Sequence, residues 1–129
     1  MDKRVQMAVI GAGRAGTAVL NELVKLSYVR IIGVADADTE AEGLAIARKH
    51  NVPVFSEPMQ LVEKNEEIDI LVEVSGDALI KQDIKDYFSR VGNRKTVIMH
   101  NLVSRLLVSL ASGRSDLGPD YHPNDIGIG

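Results

Sequence analysis

The chain has 129 residues, a net charge of −3 and 45 % hydrophobic residues, which is typical of one globular domain. That charge gives no electrostatic footprint for nucleic acid, and no apolar run reaches the roughly 18 residues of a membrane span or forms a secretion signal. Because the chain also lacks cysteine and its three histidines are scattered, we expect a cytoplasmic protein with no metal site and no nucleic-acid or membrane partner.

Short apolar segments alternate with helical patterns up to about residue 111. Runs typical of buried strands cover residues 4–10, 29–35, 52–55, 68–74 and 95–99. Helical patterns cover residues 15–26, a segment that ends at His50, a short segment opening at Ser56–Pro58, and residues 78–91 and 102–111. The alternation predicts an α/β fold, a doubly wound parallel sheet of about five or six strands in the order 3-2-1-4-5.

Local signals predict several of the helix ends. Thr39 and Glu42 form a T-x-x-E capping box, which we expect to open the second helix. Gly92 is expected to end the helix over 78–91 because glycine readily adopts the left-handed conformation. Asn101 is expected to cap the last helix.

The segment after the last helix has a different composition. Residues 112–129 contain four glycines and two prolines and show no apolar period. We therefore predict one folded domain over 1–111 and a flexible linker or disordered tail over 112–129. The alternative is a segment that packs along the domain surface.

The sequence VIGAGRAG, residues 9–16, has three glycines spaced as G-x-G-x-x-G between a strand and a helix. Gly11 allows the tight turn, Gly13 lets a pyrophosphate approach the backbone, and Gly16 lets the helix pack close to the first strand. The helix N-terminus would offer N–H groups and its positive dipole end to the phosphates. We predict a dinucleotide-binding turn, which makes the domain over 1–111 a dinucleotide-binding domain; the alternative is a glycine-rich surface turn.

An acidic residue, Asp36, ends the second strand at the distance such turns require, 20 residues after Gly16. Its carboxylate can accept hydrogen bonds from both hydroxyls of an adenosine ribose. Ala37 and Asp38 follow, so no basic side chain stands there to hold a 2′-phosphate. The pattern favours NAD over NADP, while another nucleotide or coenzyme A stays an alternative.

Ser75 and Gly76 follow the fourth strand, so we expect them beside the nicotinamide ribose. Arg14 lies inside the glycine turn, where it either contacts the pyrophosphate or is solvated. The residues predicted to bind the cofactor are Gly11, Ala12, Gly13, Arg14, Ala15, Gly16, Asp36, Ala37, Ser75 and Gly76.

Four segments together resemble a known family. VIGAGRAG, GVADAD, VPVF and IDILVEVSGD look like the N-terminal NAD(P)-binding Rossmann domain of the Gfo/Idh/MocA oxidoreductases. They are also similar to the cofactor domains of homoserine and aspartate dehydrogenases. The resemblance covers about residues 5–101 and implies that the three glycines of the turn and Asp36 occupy the family's dinucleotide-binding positions.

The chain departs from that family after its fifth strand. The family's enzymes have a Glu-Lys-Pro motif there, whose lysine acts near the substrate, and a large C-terminal domain that binds substrate. This sequence has Met99, His100 and Asn101 at that point and no lysine. His100 is the candidate acid–base residue at the correct end of the sheet because histidine titrates near neutral pH; a structural role is the alternative.

These departures favour an NAD(H)-binding module that senses or regulates, or a fragment, without catalysis of its own. Such modules are similar to N-terminal domains of some bacterial sensor and regulatory proteins. The alternatives are a small NAD-dependent dehydrogenase or reductase that completes its site across an oligomer, and a scaffold that holds another nucleotide or none.

The helix over 101–111 is apolar on more than one face, which predicts contact with a second copy or a following domain; ordinary packing on the sheet is the alternative.

Overall fold

The computed structural model describes residues 2–125. Within them lies a five-stranded parallel sheet in the order β3-β2-β1-β4-β5. The strands are β1 (Val5–Ile10), β2 (Val29–Ala35), β3 (Val54–Phe55), β4 (Ile70–Glu73) and β5 (Val97–Met99). The helices are α1 (Arg14–Leu23), α2 (Glu42–Lys49), α3 (Pro58–Val62), α4 (Ala78–Val91) and α5 (Asn101–Ser112), with a 3-10 turn at Asn65–Glu67. The predicted α/β class and strand order are confirmed.

The alternation of side chains along β1 explains the two layers of helices. Met7 and Val9 pack with α1, α2 and α5 on one face of the sheet, whereas Ala8 and Ile10 pack with α3 and α4 on the other. All four side chains are buried. A central strand that is apolar on both faces is stable only between two layers, which produces the doubly wound arrangement.

The predicted capping box at the start of α2 is wrong. The helix begins at Glu42 after Ala41, and no side chain caps it. Thr39 lies in the preceding turn. The Gly43 N–H instead donates to the carbonyl oxygen of Ala12 at 2.7 Å. A backbone carbonyl of the glycine turn therefore replaces the predicted side-chain cap.

The start of α5 also differs from the prediction. Asn101 is the first helical residue and His100 occupies the cap position. The Asn101 side-chain amide donates to Asp120 Oδ1 at 2.8 Å, so it is turned away from the role of helix cap. At the end of α4, by contrast, Gly92 has the predicted left-handed conformation, with φ of 72°.

Residues 113–125 form neither helix nor strand. They return along α5 and lie against the edge of the sheet at which the strands end, through contacts described below. The predicted boundary between a domain over 1–111 and a linker over 112–129 stays a prediction, and residues 126–129 lie outside the described residues. No helix between residues 2 and 125 is long and apolar enough to cross a membrane.

Candidate functional site

Two glycines make the turn between β1 and α1 tight. Gly11 has φ of +100°, a conformation that side chains disfavour, and a Cβ there would lie 2.8 Å from the Ser75 backbone. A Cβ on Gly16, in the first turn of α1, would overlap the carbonyl oxygen of Gly11. The turn thus brings the start of α1 against the ends of both β1 and β4.

Gly13 differs from these two glycines because its surroundings are open. It is the residue before α1, it has an extended conformation, and a Cβ there would meet nothing within 4 Å. The first N–H groups of a helix lack partners within the helix, and no acidic residue stands in the first turn of α1. An anion could therefore approach the backbone at Gly13 and meet the N-terminus of α1.

Asp36 is held at this turn by its carboxylate. Its Oδ2 accepts a hydrogen bond from the Ala12 N–H at 2.8 Å, and its Oδ1 accepts one from the Asp38 N–H at 2.8 Å. The Gly11 N–H donates to the carbonyl of Ala35 at 2.8 Å, which joins the turn to the end of β2. The acidic side chain and the glycine turn form one rigid unit.

A cavity of about 150 Å³ opens beside Asp36. It is lined by Ile10, Gly11, Ala35, Asp36, Ala37, Pro58, Ser75, Asp77 and Ile80. None of these lining residues is basic, and two are acidic. The cavity therefore suits the hydroxyl groups of a sugar better than a phosphate.

A polar cluster lies at the ends of β4 and β5. The Glu73 side chain is fully buried, and its Oε1 accepts hydrogen bonds from the Ser75 N–H at 3.1 Å and the Ser75 hydroxyl at 2.6 Å. Its Oε2 lies 3.3 Å from His100 Nδ1. A carboxylate beside Nδ1 favours the tautomer with the proton on that nitrogen, which leaves the lone pair on Nε2. Nε2 is buried and has no hydrogen-bond partner among the described residues.

The irregular segment 113–125 reaches the same edge of the sheet. Arg14 stacks over the Tyr121 ring, with 5.0 Å between the guanidinium carbon and the ring centroid. A Cβ on Gly76 would overlap the His122 ring. Donation from the Asn101 amide and the His122 N–H holds the pKa of the Asp120 carboxyl below its usual range.

The structure brings the ten predicted cofactor residues to one edge, where β1, β2 and β4 end. Whether they contact a dinucleotide stays a prediction. The Arg14 guanidinium stacks on the Tyr121 ring, a contact that the sequence analysis did not predict. Gly43 was also missed as part of the site; its position in the first turn of a helix was the available signal, since glycine is unfavourable there.

A family model and a curated relative match the chain. The model, described as an oxidoreductase family with an NAD-binding Rossmann fold (Gfo/Idh/MocA), matches residues 5–88. The acetaldehyde dehydrogenase of Carboxydothermus hydrogenoformans is 29 % identical over 75 residues, which are 58 % of this chain and 25 % of that protein.

Two solved structures share the fold. A homoserine dehydrogenase of S. aureus aligns with 85 % of this chain and 30 % of its own, at a TM-score of 0.59 and 18 % identity. GenD2 from gentamicin A biosynthesis, solved in complex with NAD, aligns with 86 % of this chain and 32 % of its own, at a TM-score of 0.58 and 16 % identity. The chain spans between a quarter and a third of the length of these three relatives.

Proposed function

The chain belongs to the oxidoreductase family with an NAD-binding Rossmann fold, and from that premise we propose that it binds NAD or NADH as a signal, in a sensing or regulatory module. The main support for this proposal is the contact between the glycine turn and Asp36, whose carboxylate accepts a hydrogen bond from the Ala12 N–H at 2.8 Å. A cytoplasmic location is part of the proposal, supported by the absence of cysteine from the sequence.

In the proposed complex, the dinucleotide crosses the edge of the sheet from β2 to β4. The adenosine ribose lies in the cavity beside Asp36, where the carboxylate accepts hydrogen bonds from its hydroxyl groups. The pyrophosphate lies at Gly13, where the backbone is open and the α1 N-terminus points. The nicotinamide ribose lies beside Ser75 and Gly76.

Replacing Asp36 with alanine tests the assignment of the ribose and the preference for NAD. We expect Asp36→Ala to weaken NAD binding by about tenfold or more, because two charge-assisted hydrogen bonds are lost. NADP binding should be weakened less, because removing the carboxylate also removes its repulsion of the 2′-phosphate, which offsets the lost hydrogen bond to the remaining ribose hydroxyl. Titration calorimetry with both nucleotides measures the two ratios.

The matched control is Asp83→Ala, which removes an exposed aspartate on α4. It should leave both affinities unchanged. Equal losses for NAD and NADP in Asp36→Ala would mean that Asp36 does not hold the ribose.

The absence of the Glu-Lys-Pro motif at the end of the fifth strand supports a sensing role over catalysis, since the sequence there is Met99, His100 and Asn101. One observation favours a second candidate, a small dehydrogenase that completes its site across an oligomer. Glu73 lies 3.3 Å from His100 Nδ1, and the buried Nε2 has no partner among the described residues. An imidazole oriented by a carboxylate can accept the proton of a substrate hydroxyl while hydride moves to NAD.

A test of turnover separates the two candidates. We expect no steady NADH production when the chain is mixed with NAD and a panel of small alcohols, hydroxy acids and amines. Sustained turnover that His100→Gln lowers by about 100-fold or more, with NAD binding unchanged, would establish the dehydrogenase instead. Absorbance at the NADH band measures both outcomes.

An apolar face of α5 supports a macromolecular contact. Its exposed side chains are Leu102, Val103, Leu106 and Leu110, between 49 % and 73 % exposed. Leu102, Leu106 and Leu110 follow one another at intervals of four residues, with Val103 three residues before Leu106, and together they form an apolar stripe of the kind that packs against another helix. We propose contact with a second copy or with a following domain.

Sedimentation tests the second copy. We expect the wild-type chain to self-associate at micromolar concentration and Leu106→Lys to weaken that association by about tenfold or more. Leu79→Lys, which alters an exposed leucine of α4, is the matched control and should leave it unchanged. A wild-type chain that stays monomeric would contradict the homodimer.

A further inference from the structure

Residues 113–125, which we call the strap, follow a continuous path from the end of α5 to α4. The strap first runs back along α5: Ser109 Oγ donates to the Asp116 carbonyl, Arg105 to the Gly118 carbonyl at 3.1 Å, and the Asn101 amide to Asp120 at 2.8 Å. Successive strap residues thus form hydrogen bonds with α5 residues that lie progressively nearer the N-terminus of the helix. The strap leaves α5 at its first residue, Asn101, two residues after the end of β5.

The strap then crosses the edge of the sheet. Tyr121 stacks on Arg14 at the start of α1, and His122 covers Gly76 after β4. Asp125 ends the crossing in an ion pair with Lys81 on α4. Both side chains of that pair are buried, 3 % exposed for the lysine and 5 % for the aspartate. Breaking a buried pair is costly, so this contact holds the strap firmly.

The crossing lies over only one half of the cleft. A dinucleotide in an open parallel sheet of this kind spans the point where the strand order reverses, which here is between β1 and β4. Its adenosine half lies toward β2, and its second half lies toward β4. His122 lies over Gly76, on the second half, and Tyr121 lies over Arg14 at the start of α1, while the backbone at Gly13 stays open. The cavity beside Asp36 extends from Ala35 on the adenosine half to Ser75 and Asp77 after β4, and no strap residue lines it.

We propose that the strap occupies the place of the nicotinamide half, so that the strapped chain accepts adenine nucleotides that end at the pyrophosphate, such as ADP, and NAD binds only when the strap leaves. This inference rests on the proposed NAD(H) binding at the glycine turn. Under it, NAD and the strap compete for one surface, and the apparent affinity for NAD is the intrinsic affinity multiplied by the fraction of chains in which the strap is undocked. Displacement of the strap is then the signal that NAD binding produces.

Hydrogen exchange on the unaltered chain tests the competition directly. Saturating NAD should speed amide exchange in residues 115–125, whereas saturating ADP should leave it unchanged. Two strap amides provide the readout: the His122 N–H, which donates to Asp120, and the Asp125 N–H, which donates to the His122 carbonyl. Slower exchange of the strap with NAD would overturn the proposal, because it would make the strap a lid that closes over the cofactor.

A variant with a weakened strap tests the affinities. Replacing Tyr121 and His122 together with alanine should raise the affinity for NAD by about tenfold and change that for ADP by less than about twofold. Asn124→Ala, an exposed strap position, is the control and should change neither. If both nucleotides bind but the double variant binds NAD no more tightly than the wild type, the strap inference is wrong and the proposed NAD binding stands. If neither nucleotide binds the folded wild-type chain or the variant, the proposed function fails with it.

Discussion

Gly16→Ala is expected to destabilise the domain by about 3 kcal/mol or more, although alanine normally stabilises a helix relative to glycine by about 1 kcal/mol. The reversal of sign follows from the contact at this position. A Cβ on Gly16 would overlap the carbonyl oxygen of Gly11, which is backbone and is held by the tight turn. The added methyl group must therefore push α1 away from β1 and β4, and it disturbs the core beneath them.

Thermal and urea unfolding of Gly16→Ala measure this effect, and the melting temperature should fall by about 10 °C. Gly13→Ala is the matched control: the same substitution lies three residues away, where a Cβ meets nothing within 4 Å. It should change the free energy of unfolding by less than about 1 kcal/mol. A Gly16→Ala protein as stable as the wild type would mean that the turn is looser than described.

Gly13→Val is expected to have the largest effect on binding, a loss of about 100-fold or more in affinity for NAD. The valine side chain would fill the open space beside the α1 N-terminus, where the pyrophosphate must approach the backbone. The extended conformation of Gly13 suits a β-branched residue, so the fold should persist. The prediction is therefore a loss of function without a loss of structure.

The same titrations with NAD, together with circular dichroism, measure this separation of binding from folding. Leu79→Val, which changes an exposed residue on α4, is a control that should affect neither property. Unchanged NAD affinity in a folded Gly13→Val protein would show that the pyrophosphate does not bind at this turn.

The part of the architecture that local patterns determine was predictable. Residues 29–35 form β2 and residues 78–91 form α4 with the bounds that their periodicity indicated. The turn at Gly11 and the placement of Asp36 beside it follow from spacing, because a strand, a turn and a helix of set lengths leave few arrangements. Alternation of short apolar strands with helices indicated the doubly wound parallel sheet, and the predicted strand order is the observed one.

Contacts between distant or aperiodic segments were not predictable. The strap shows no apolar period, yet it contacts α5, α1 and α4 through individual side chains. Thr39 and Asn101 carry local capping signals, but a backbone carbonyl of Ala12 and the carboxylate of Asp120 compete with those roles. Local propensity is a weak preference that such tertiary partners override.

The pair formed by Glu73 and His100 was predictable in part: the sequence indicates where each residue lies, but not that the two side chains are in contact. The sequence placed His100 after the fifth strand, at the correct edge of the sheet, and the predicted fourth strand, residues 68–74, contains Glu73 near its end. Their contact depends on β4 and β5 being neighbours and on the Ser75 hydroxyl that holds the other carboxylate oxygen. A separation of 27 residues carries no local signal for such a pair.

Titration calorimetry of NAD into the folded 129-residue chain is the most direct test of the central claim, that the glycine turn and Asp36 hold a dinucleotide. We predict saturable binding of one NAD per chain in the micromolar range, and its loss in Gly13→Val. No binding to the folded wild-type chain, or equal binding to the Gly13→Val variant, would contradict the assignment of this site.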